Sequence, residues 1–391
     1  MPADLNPLFA PLTLGGHTLK NRFVMPSMQR ALCTDGRLRP EMADYYGRRA
    51  HGGTSLVIGE GCAVDHWSSN WDPQFPRTGP GMDEEWIRCA DQVHAAGSTM
   101  LLQVSHPGAL RSESHALPGG VAMALSPSGL FAPGKTNGRA ATLEELAEIK
   151  QSFVDAALFA QHCGMDGIEL HACHGFFLDQ FLWQETNLRS DRYGGRTLDA
   201  RAHYPAEVVA AIRAAVGADF LIGFRFSQWK EVDYGARIAR NPEELAAMLD
   251  VLERAGVDLL HPSSRRFYDP AFAEAGNLTL AGWCKRLSSL PVIAVGSVGI
   301  AQDVMNSLIG TSADGLPIEA SLSLLAHLFD QGEFDLVAIG RNLIADPEWV
   351  RKIGDGAISD LIEFKKEHLG RALEMEPELI IETHRQAATP T

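Results

Sequence analysis

The sequence predicts a single (β/α)8 TIM barrel. Eight short β-rich runs alternate with longer helical patterns almost to the end of the chain, the order of a parallel sheet built from strand–helix units. The 391 residues give length for one large barrel with decorations. No low-complexity linker or internal repeat divides them, so residues 1–391 are read as one domain rather than two.

The candidate strands are 23–28, 56–60, 99–104, 167–171, 220–226, 257–261, 292–295 and 336–340. Strand counting alone also fits a doubly wound sheet; eight strands in a chain of this length favour the barrel. Among the helices, 143–163 has apolar residues at three- and four-residue spacing behind a capping box of Thr142 and Glu145. Asn241-Pro242 opens another over 243–255, which stops at Gly256. Between the third strand and its helix, residues 106–141 are crowded with Gly, Pro, Ser and Asn, which marks a lid-like insertion on the C-terminal face. A second decoration is expected at 311–317, and a helical tail rich in both charge signs follows Asp346, with about 356–391 beyond the barrel.

Hydrophobic residues are 45% of the chain and charged residues 21%, the balance of a soluble globular protein. Acidic residues outnumber basic ones by 49 to 34, and the resulting charge of −15 repels phosphate backbones and anionic lipid. Neither nucleic acid nor a membrane is expected as a partner; a small molecule is, and a homo-oligomer stays open. The six cysteines form no CxxC pair, which fits a reducing, cytoplasmic compartment. The N-terminus lacks a basic stretch followed by an apolar run, so no export signal is expected.

In a barrel the C-terminal strand ends converge on one site. Gln103, near the end of the third strand, offers both a donor and an acceptor, as a flat heteroaromatic ring requires, or is a satisfied core amide. His171 and His174, at the end of the fourth strand and in its turn, can aim two neutral donors at one substrate oxygen. With Cys173 they also compose three potential metal ligands, but no further carboxylate–histidine cluster completes a set, so no metal is assigned. A purely structural His pair is the third reading. Arg225 lies between two Phe in the fifth strand and needs an anionic partner, either Glu169 or an anionic cofactor ring. Gly296 and Gly340 end the last two strands and Arg341 follows, the pattern of a barrel phosphate site; tight turns alone would also use these glycines.

Two motifs mislead. Residues 129–136 spell GLFAPGKT, a P-loop pattern, but Ser126-Pro127-Ser128 precedes it and no helix begins at its Lys-Thr. Gly59-Glu60-Gly61 lacks the third glycine of a dinucleotide fingerprint.

From about residue 6 to 355 the chain resembles the Old Yellow Enzyme family of FMN-dependent NADH:flavin oxidoreductases and ene-reductases. The matches are NRFVMPSM at 21–28, Gly59-Glu60-Gly61, LLQVSHPG at 101–108, DGIELHACHG at 166–175, Asn187, Arg189, DRYGG at 191–195, Arg201, Glu207 and VAIGRNLIADPEW at 337–349. The resemblance implies an FMN-binding barrel reduced by NADH or NADPH. It implies that Ser27, Met28, Gly61 and Gln103 line the isoalloxazine, that Arg225 faces its N1/C2 carbonyl end, and that Gly296, Gly340 and Arg341 hold the phosphate. His171 and His174 would bind the oxygen of an α,β-unsaturated carbonyl or nitro group.

Several positions depart from the family pattern. Gln29 stands where Thr or Cys is usual beside the flavin, Ser27 replaces Pro, Ala109 replaces an Arg, and Ser105 sits where some members carry Trp. Phe176 occupies the place of the tyrosine that protonates the substrate α-carbon, so Tyr268, in the segment after strand six, is the candidate replacement. The expected reaction is hydride transfer from reduced FMN to an activated C=C. Reduction of nitro compounds or nitrate esters, or the alkene chemistry in reverse, are alternatives within the family. A metal-dependent barrel hydrolase is the distant one.

Overall fold

The computed structural model describes residues 4–69, 72–111, 123–300 and 315–369. Eight parallel strands close into a barrel: β1 (Phe23–Met25), β2 (Leu56–Ala63), β3 (Thr99–Ser105), β4 (Gly167–His174), β5 (Leu221–Lys230), β6 (Leu259–Ser263), β7 (Ile293–Val295) and β8 (Leu336–Ala338). Every strand read from the sequence is present. Their ends differ where the ladder slips: register shifts between Gly59 and Cys62 and between Ala172 and His174 carry β2 and β4 further than the apolar runs suggest, and β5 continues to Lys230.

Helices between the strands form the outer layer. The one at Leu143–His162 has the expected capping box, in which Thr142 accepts from the Glu145 N–H and Glu145 accepts from the Thr142 N–H. Asn241 caps Pro242–Ala255, and Gly256 ends it in the left-handed conformation at φ 108°. Residues 130–136 of the P-loop look-alike form an antiparallel pair, Leu130–Ala132 against Lys135–Thr136, with no helix at its end.

Strand alternation sorts the side chains. Val24, Leu56, Ile58, Leu101, Leu221, Leu259, Ile293 and Leu336 form one buried cluster inside the barrel, joined by Leu14 and Leu19 of the N-terminal hairpin. Further along β3, β4, β5 and β6 the inward positions become polar: Gln103, Glu169 with His171, Arg225 and His261. The apolar layer at one end is thus the support for a polar layer at the other. The alternate positions, such as Ile168, Leu170, Phe224 and Leu260, belong to the larger cluster packed under the helices.

In the 106–141 insertion, residues 112–122 lie outside the described residues; the rest forms a 3-10 turn at Gly108–Leu110 and short ladders, including Leu125–Ser126 beside Arg139–Ala140. Of the expected decoration at 311–317, residues 311–314 lie outside the described residues, as do 370–391 of the tail. The tail's described part holds the 3-10 turns Ile358–Asp360 and Lys366–Leu369. Among the described residues no helix is long and apolar enough to cross a membrane.

Candidate active site

Glu169 organises the polar layer. Its Oε1 accepts from the Gln103 amide at 2.7 Å, and its Oε2 lies 2.5 Å from Nδ1 of His261. Burial alone would raise this carboxyl, but the His261 imidazole, the Arg225 charge and the Gln103 amide together hold it below the usual range. Of the two partners weighed for Arg225, Glu169 thus gives its hydrogen bonds to Gln103 and His261 instead. Among the described residues the Arg225 guanidinium makes only long contacts, 3.5 Å to the Ser27 carbonyl and 3.5 Å to Ser263 Oγ, and its buried Nε has no hydrogen-bond partner there. A buried donor left unpaired costs about 1–3 kcal/mol, so the site is built to receive an acceptor there.

His171 ends the regular part of β4. Its ring stacks on Phe176, and both ring nitrogens are buried without a partner among the described residues. Burial, reinforced by the nearby Arg225 charge, pushes its pKa down to about 3, so the imidazole is neutral at ordinary pH. His174 follows the slip in β4 and has the left-handed φ of 63°. Its N–H donates to Ser227 Oγ at 2.9 Å, its ring stacks on Trp229, and Nε2 hydrogen-bonds Ser263 Oγ at 2.9 Å. Burial and the neighbouring positive groups keep this ring neutral as well. The two rings meet edge to face with centroids 5.5 Å apart.

The donor atoms of His171, Cys173 and His174 lie within 4.8 Å of one another. Nε2 of His174 is engaged by Ser263 and Nδ1 faces the Cys173 sulfur at 3.5 Å, which leaves the paired ring little to offer an ion.

Above this layer is a cleft of about 210 Å³. Of the residues named from the sequence, Ser27, Gln29, Gly61, Gln103, His171, His174, Phe176 and Arg225 line it. Gln29 reaches across to donate to the Gly61 carbonyl at 3.1 Å. A Cβ on Gly61 would stand 3.1 Å from the Gln103 amide oxygen, so glycine keeps this wall flat. Ala63, Phe75, Ser105 and Glu231 complete the lining. Of these, Glu231 was hidden from sequence reading because the apolar run of strand five stops at Phe226, four residues before the strand does. No described residue of the 106–141 insertion lines the cleft.

Met28, Gly296, Gly340 and Arg341 lie apart from this lining. A Cβ on Gly340 would meet Met28 Sδ at 3.5 Å, so those two are neighbours. Arg341 reaches from β8 to the turn after β7, where its guanidinium donates to Ser297 Oγ at 3.2 Å. Gly296 has φ 138° and a Cβ there would stand 2.6 Å from the Ser264 carbonyl oxygen, so its turn alone demands glycine. Tyr268, the candidate proton donor, also lies apart from the lining. It does not line the cleft, because the Phe267 N–H is bonded to the Gly296 carbonyl and the Tyr268 ring packs edge-on against Phe267.

Comparison with known proteins agrees with this architecture. A family model described as the NADH:flavin oxidoreductase / NADH oxidase family matches residues 7–314. The NADH oxidase of Thermoanaerobacter brockii is 33% identical over 364 residues, covering 90% of this chain and 52% of that protein. A probable NADH-dependent flavin oxidoreductase of Bacillus subtilis is 30% identical, with 91% of this chain and 90% of the relative covered. The chain thus spans about half the length of the Thermoanaerobacter relative and nearly all of the Bacillus one. Among solved structures, morphinone reductase in complex with tetrahydroNAD superposes with a TM-score of 0.75 at 25% identity over 93% of each chain. The old yellow enzyme homologue from Zymomonas mobilis, at 23% identity and a TM-score of 0.74 over 93% of this chain and 96% of its own, shares the fold.

Proposed function

The chain belongs to the NADH:flavin oxidoreductase / NADH oxidase family of FMN-dependent Old Yellow Enzyme barrels, and from that premise we propose that it is an NAD(P)H-dependent ene-reductase acting on a small α,β-unsaturated carbonyl compound. The observation that carries this reading is the set of buried polar atoms facing one cleft that have no partner among the described residues: Nε of Arg225 and the two ring nitrogens of His171, one of which carries the N–H of the neutral imidazole. The Arg225 N–H and the His171 N–H ask for acceptors that the described chain does not supply.

The residues fit the flavin. Arg225 would hold the electron-rich N1/C2 carbonyl end, Gln103 the ring edge, and Ser27, Met28, Gln29 and Gly61 the ring's length. Gly296, Gly340 and Arg341 would hold the phosphate. Bound FMN supplies hydride acceptance from the nicotinamide and hydride donation to the substrate. The chain's part is to orient the substrate and stabilise charge: neutral His171, with His174 beside it, donates to the substrate oxygen as negative charge develops there. Glu169 fixes the Gln103 amide and the His261 ring beneath, so the floor of the site cannot rearrange to quench these donors.

Phe176 favours a second reading within the same site, reduction of nitro compounds or nitrate esters, which need no proton at an α-carbon. One experiment tests both. The purified protein is loaded with FMN, titrated anaerobically with NADH and with NADPH, then mixed with an enone and separately with a nitro compound. Stoichiometric flavin, bleaching by a nicotinamide and reoxidation by the enone are expected, with Arg341→Ala losing flavin on dialysis. Reoxidation by the nitro compound alone replaces the first reading with the second, and a protein that does not retain FMN overturns both.

A further inference from the structure

We propose that the Glu231 carboxyl is the acid of this cleft, giving the substrate α-carbon the proton that Phe176 cannot give. The assignment rests on the ene-reductase reading and goes beyond it, since it places a catalytic role on a residue outside the family motifs quoted above.

Elimination among the lining residues leads there. His171, His174, Arg225 and Glu231 are the ionisable side chains of the cleft. Both imidazoles are neutral, and a neutral imidazole is too weak an acid to release its N–H proton at a useful rate. A guanidinium does not deprotonate in proteins, and the serine hydroxyls and glutamine amides lining the cleft are weaker acids than any carboxyl. Glu231 is the one carboxyl among these lining side chains, the group able to give up a proton and take it back from water.

Its placement is specific. Glu231 directly follows Lys230, the last residue of β5, and its N–H donates to the His174 carbonyl at 3.2 Å. The carboxyl is thus carried by a segment bonded to one of the residues that would bind the substrate oxygen. That segment is fixed from beneath: buried Lys230 pairs with Asp179 at 2.8 Å and donates to the Ser227 carbonyl, while Asp179 also accepts from the Gly175 N–H at 2.7 Å. Glu231 itself reaches solvent, so water can return the proton after each turnover. Although exposed at the mouth, its carboxyl is sufficiently surrounded by protein that desolvation raises its pKa, which favours the acid form.

The titratable groups around it are the neutral His171 and His174 and the charged Arg225 of the cleft, with Lys230 and Asp233 on its own turn. Lys230 is neutralised by Asp179, and the Asp233 carboxylate accepts from the Gly235 N–H. In the step, hydride adds to the β-carbon with both electrons, and the substrate becomes an enolate held at its oxygen. The Glu231 O–H bond then breaks as the α-carbon–hydrogen bond forms. The product is the saturated carbonyl, the nicotinamide is the species oxidised, and the carboxylate recovers its proton from water.

The test uses FMN-loaded wild type, Glu231→Gln, Glu231→Asp and the double variant Glu231→Gln/Phe176→Tyr, with cyclohex-2-enone and a nitroarene as oxidants. In Glu231→Gln the single-turnover rate with the enone should fall about 10²-fold or more, the usual worth of a general acid. Reduction by NAD(P)H and reoxidation by the nitroarene should stay within about twofold by the same reasoning. The wild-type enone rate should fall as pH rises through the Glu231 titration; that limb should vanish in Glu231→Gln and return, shifted, in Glu231→Asp. The double variant should recover enone turnover. An infrared band of a protonated carboxyl, titrating with the same midpoint in the substrate-free protein and missing from Glu231→Gln, is the readout independent of turnover. A wild type that reduces the enone beside a Glu231→Gln protein with an equal rate and an unchanged pH profile overturns the assignment alone. A wild type that no enone reoxidises overturns the ene-reductase reading and the assignment with it.

Discussion

The His171 imidazole and the Phe176 ring lie nearly parallel, centroids 4.0 Å apart and planes 24° apart. The stack fixes the imidazole plane without occupying either nitrogen, so the one N–H of the neutral ring remains available to an external acceptor. His174 is held differently, by Ser263 through its Nε2 and by Trp229 across its face. The pair is therefore asymmetric: His171 is free to bond substrate, whereas His174 must exchange or share its Ser263 bond to do so.

That asymmetry predicts unequal variants. Loss of a donor to a developing oxyanion costs about 2.7–4 kcal/mol. His171→Ala should therefore slow flavin reoxidation by an enone by two orders of magnitude or more, His174→Ala somewhat less, and neither should change flavin content. Stopped-flow measurement of the two half-reactions separates these effects. Because the His171 pKa is near 3, no histidine limb should appear in the enone rate between about pH 5 and 8. Equal rates for wild type and the double alanine variant would remove both histidines from the chemistry, and inactivation by a chelator would restore the metal reading.

Glu60 sets a pH dependence of stability. It is fully buried between Gly59 and Gly61; Oε2 accepts the Arg30 N–H at 3.1 Å and Oε1 has no partner among the described residues. Burial raises its pKa from 4.5 to about 7, against the smaller downward pull of Arg30. A carboxyl raised in the folded state stays protonated while the unfolded chain releases its proton. Its effect is absent below about pH 4.5, and stability falls as pH rises from there to about 7. The loss is on the order of 3 kcal/mol for a shift of this size. Glu60→Gln, which keeps an acceptor for Arg30, should flatten that decline, and denaturant melts of both proteins from pH 4 to 8 measure it. Parallel profiles would place the Glu60 proton elsewhere.

Much of this was legible because barrels write their topology locally. Each strand is an apolar run bounded by turn residues, and all eight were readable although their ends slipped at the bulges of β2 and β4. Capping at Thr142 and Asn241 was legible for the same reason, since a cap is decided within four residues. What could not be read was partnership across the barrel. In sequence Arg225 could pair with Glu169 or with an anionic cofactor ring; the register sets His261 beside Arg225 and brings its Nδ1 to Glu169, 92 residues away, so the carboxylate goes to the imidazole. Tyr268 sits near the right strand end by count, but the turn bonding Phe267 to Gly296 takes it out of the cleft.

Phe176→Tyr tests whether proton delivery limits the reaction. Phe176 is half-buried and lines the cleft, so a hydroxyl on its ring would enter the space the substrate uses rather than the packed core. If Glu231 already delivers the proton efficiently, Phe176→Tyr should change the enone rate little in the wild-type background and raise it about 10²-fold in Glu231→Gln. If water is the donor, the single variant should gain by itself. The nitro compound needs no α-carbon proton and should be reduced at one rate in every background. Tyr268→Phe should be silent throughout, since that ring does not line the cleft. Single-turnover reoxidation of the photoreduced flavin, monitored across these variants, distinguishes the cases. A gain with both oxidants would mean that the new hydroxyl acts by binding the substrate oxygen beside His171 and not by giving up its proton.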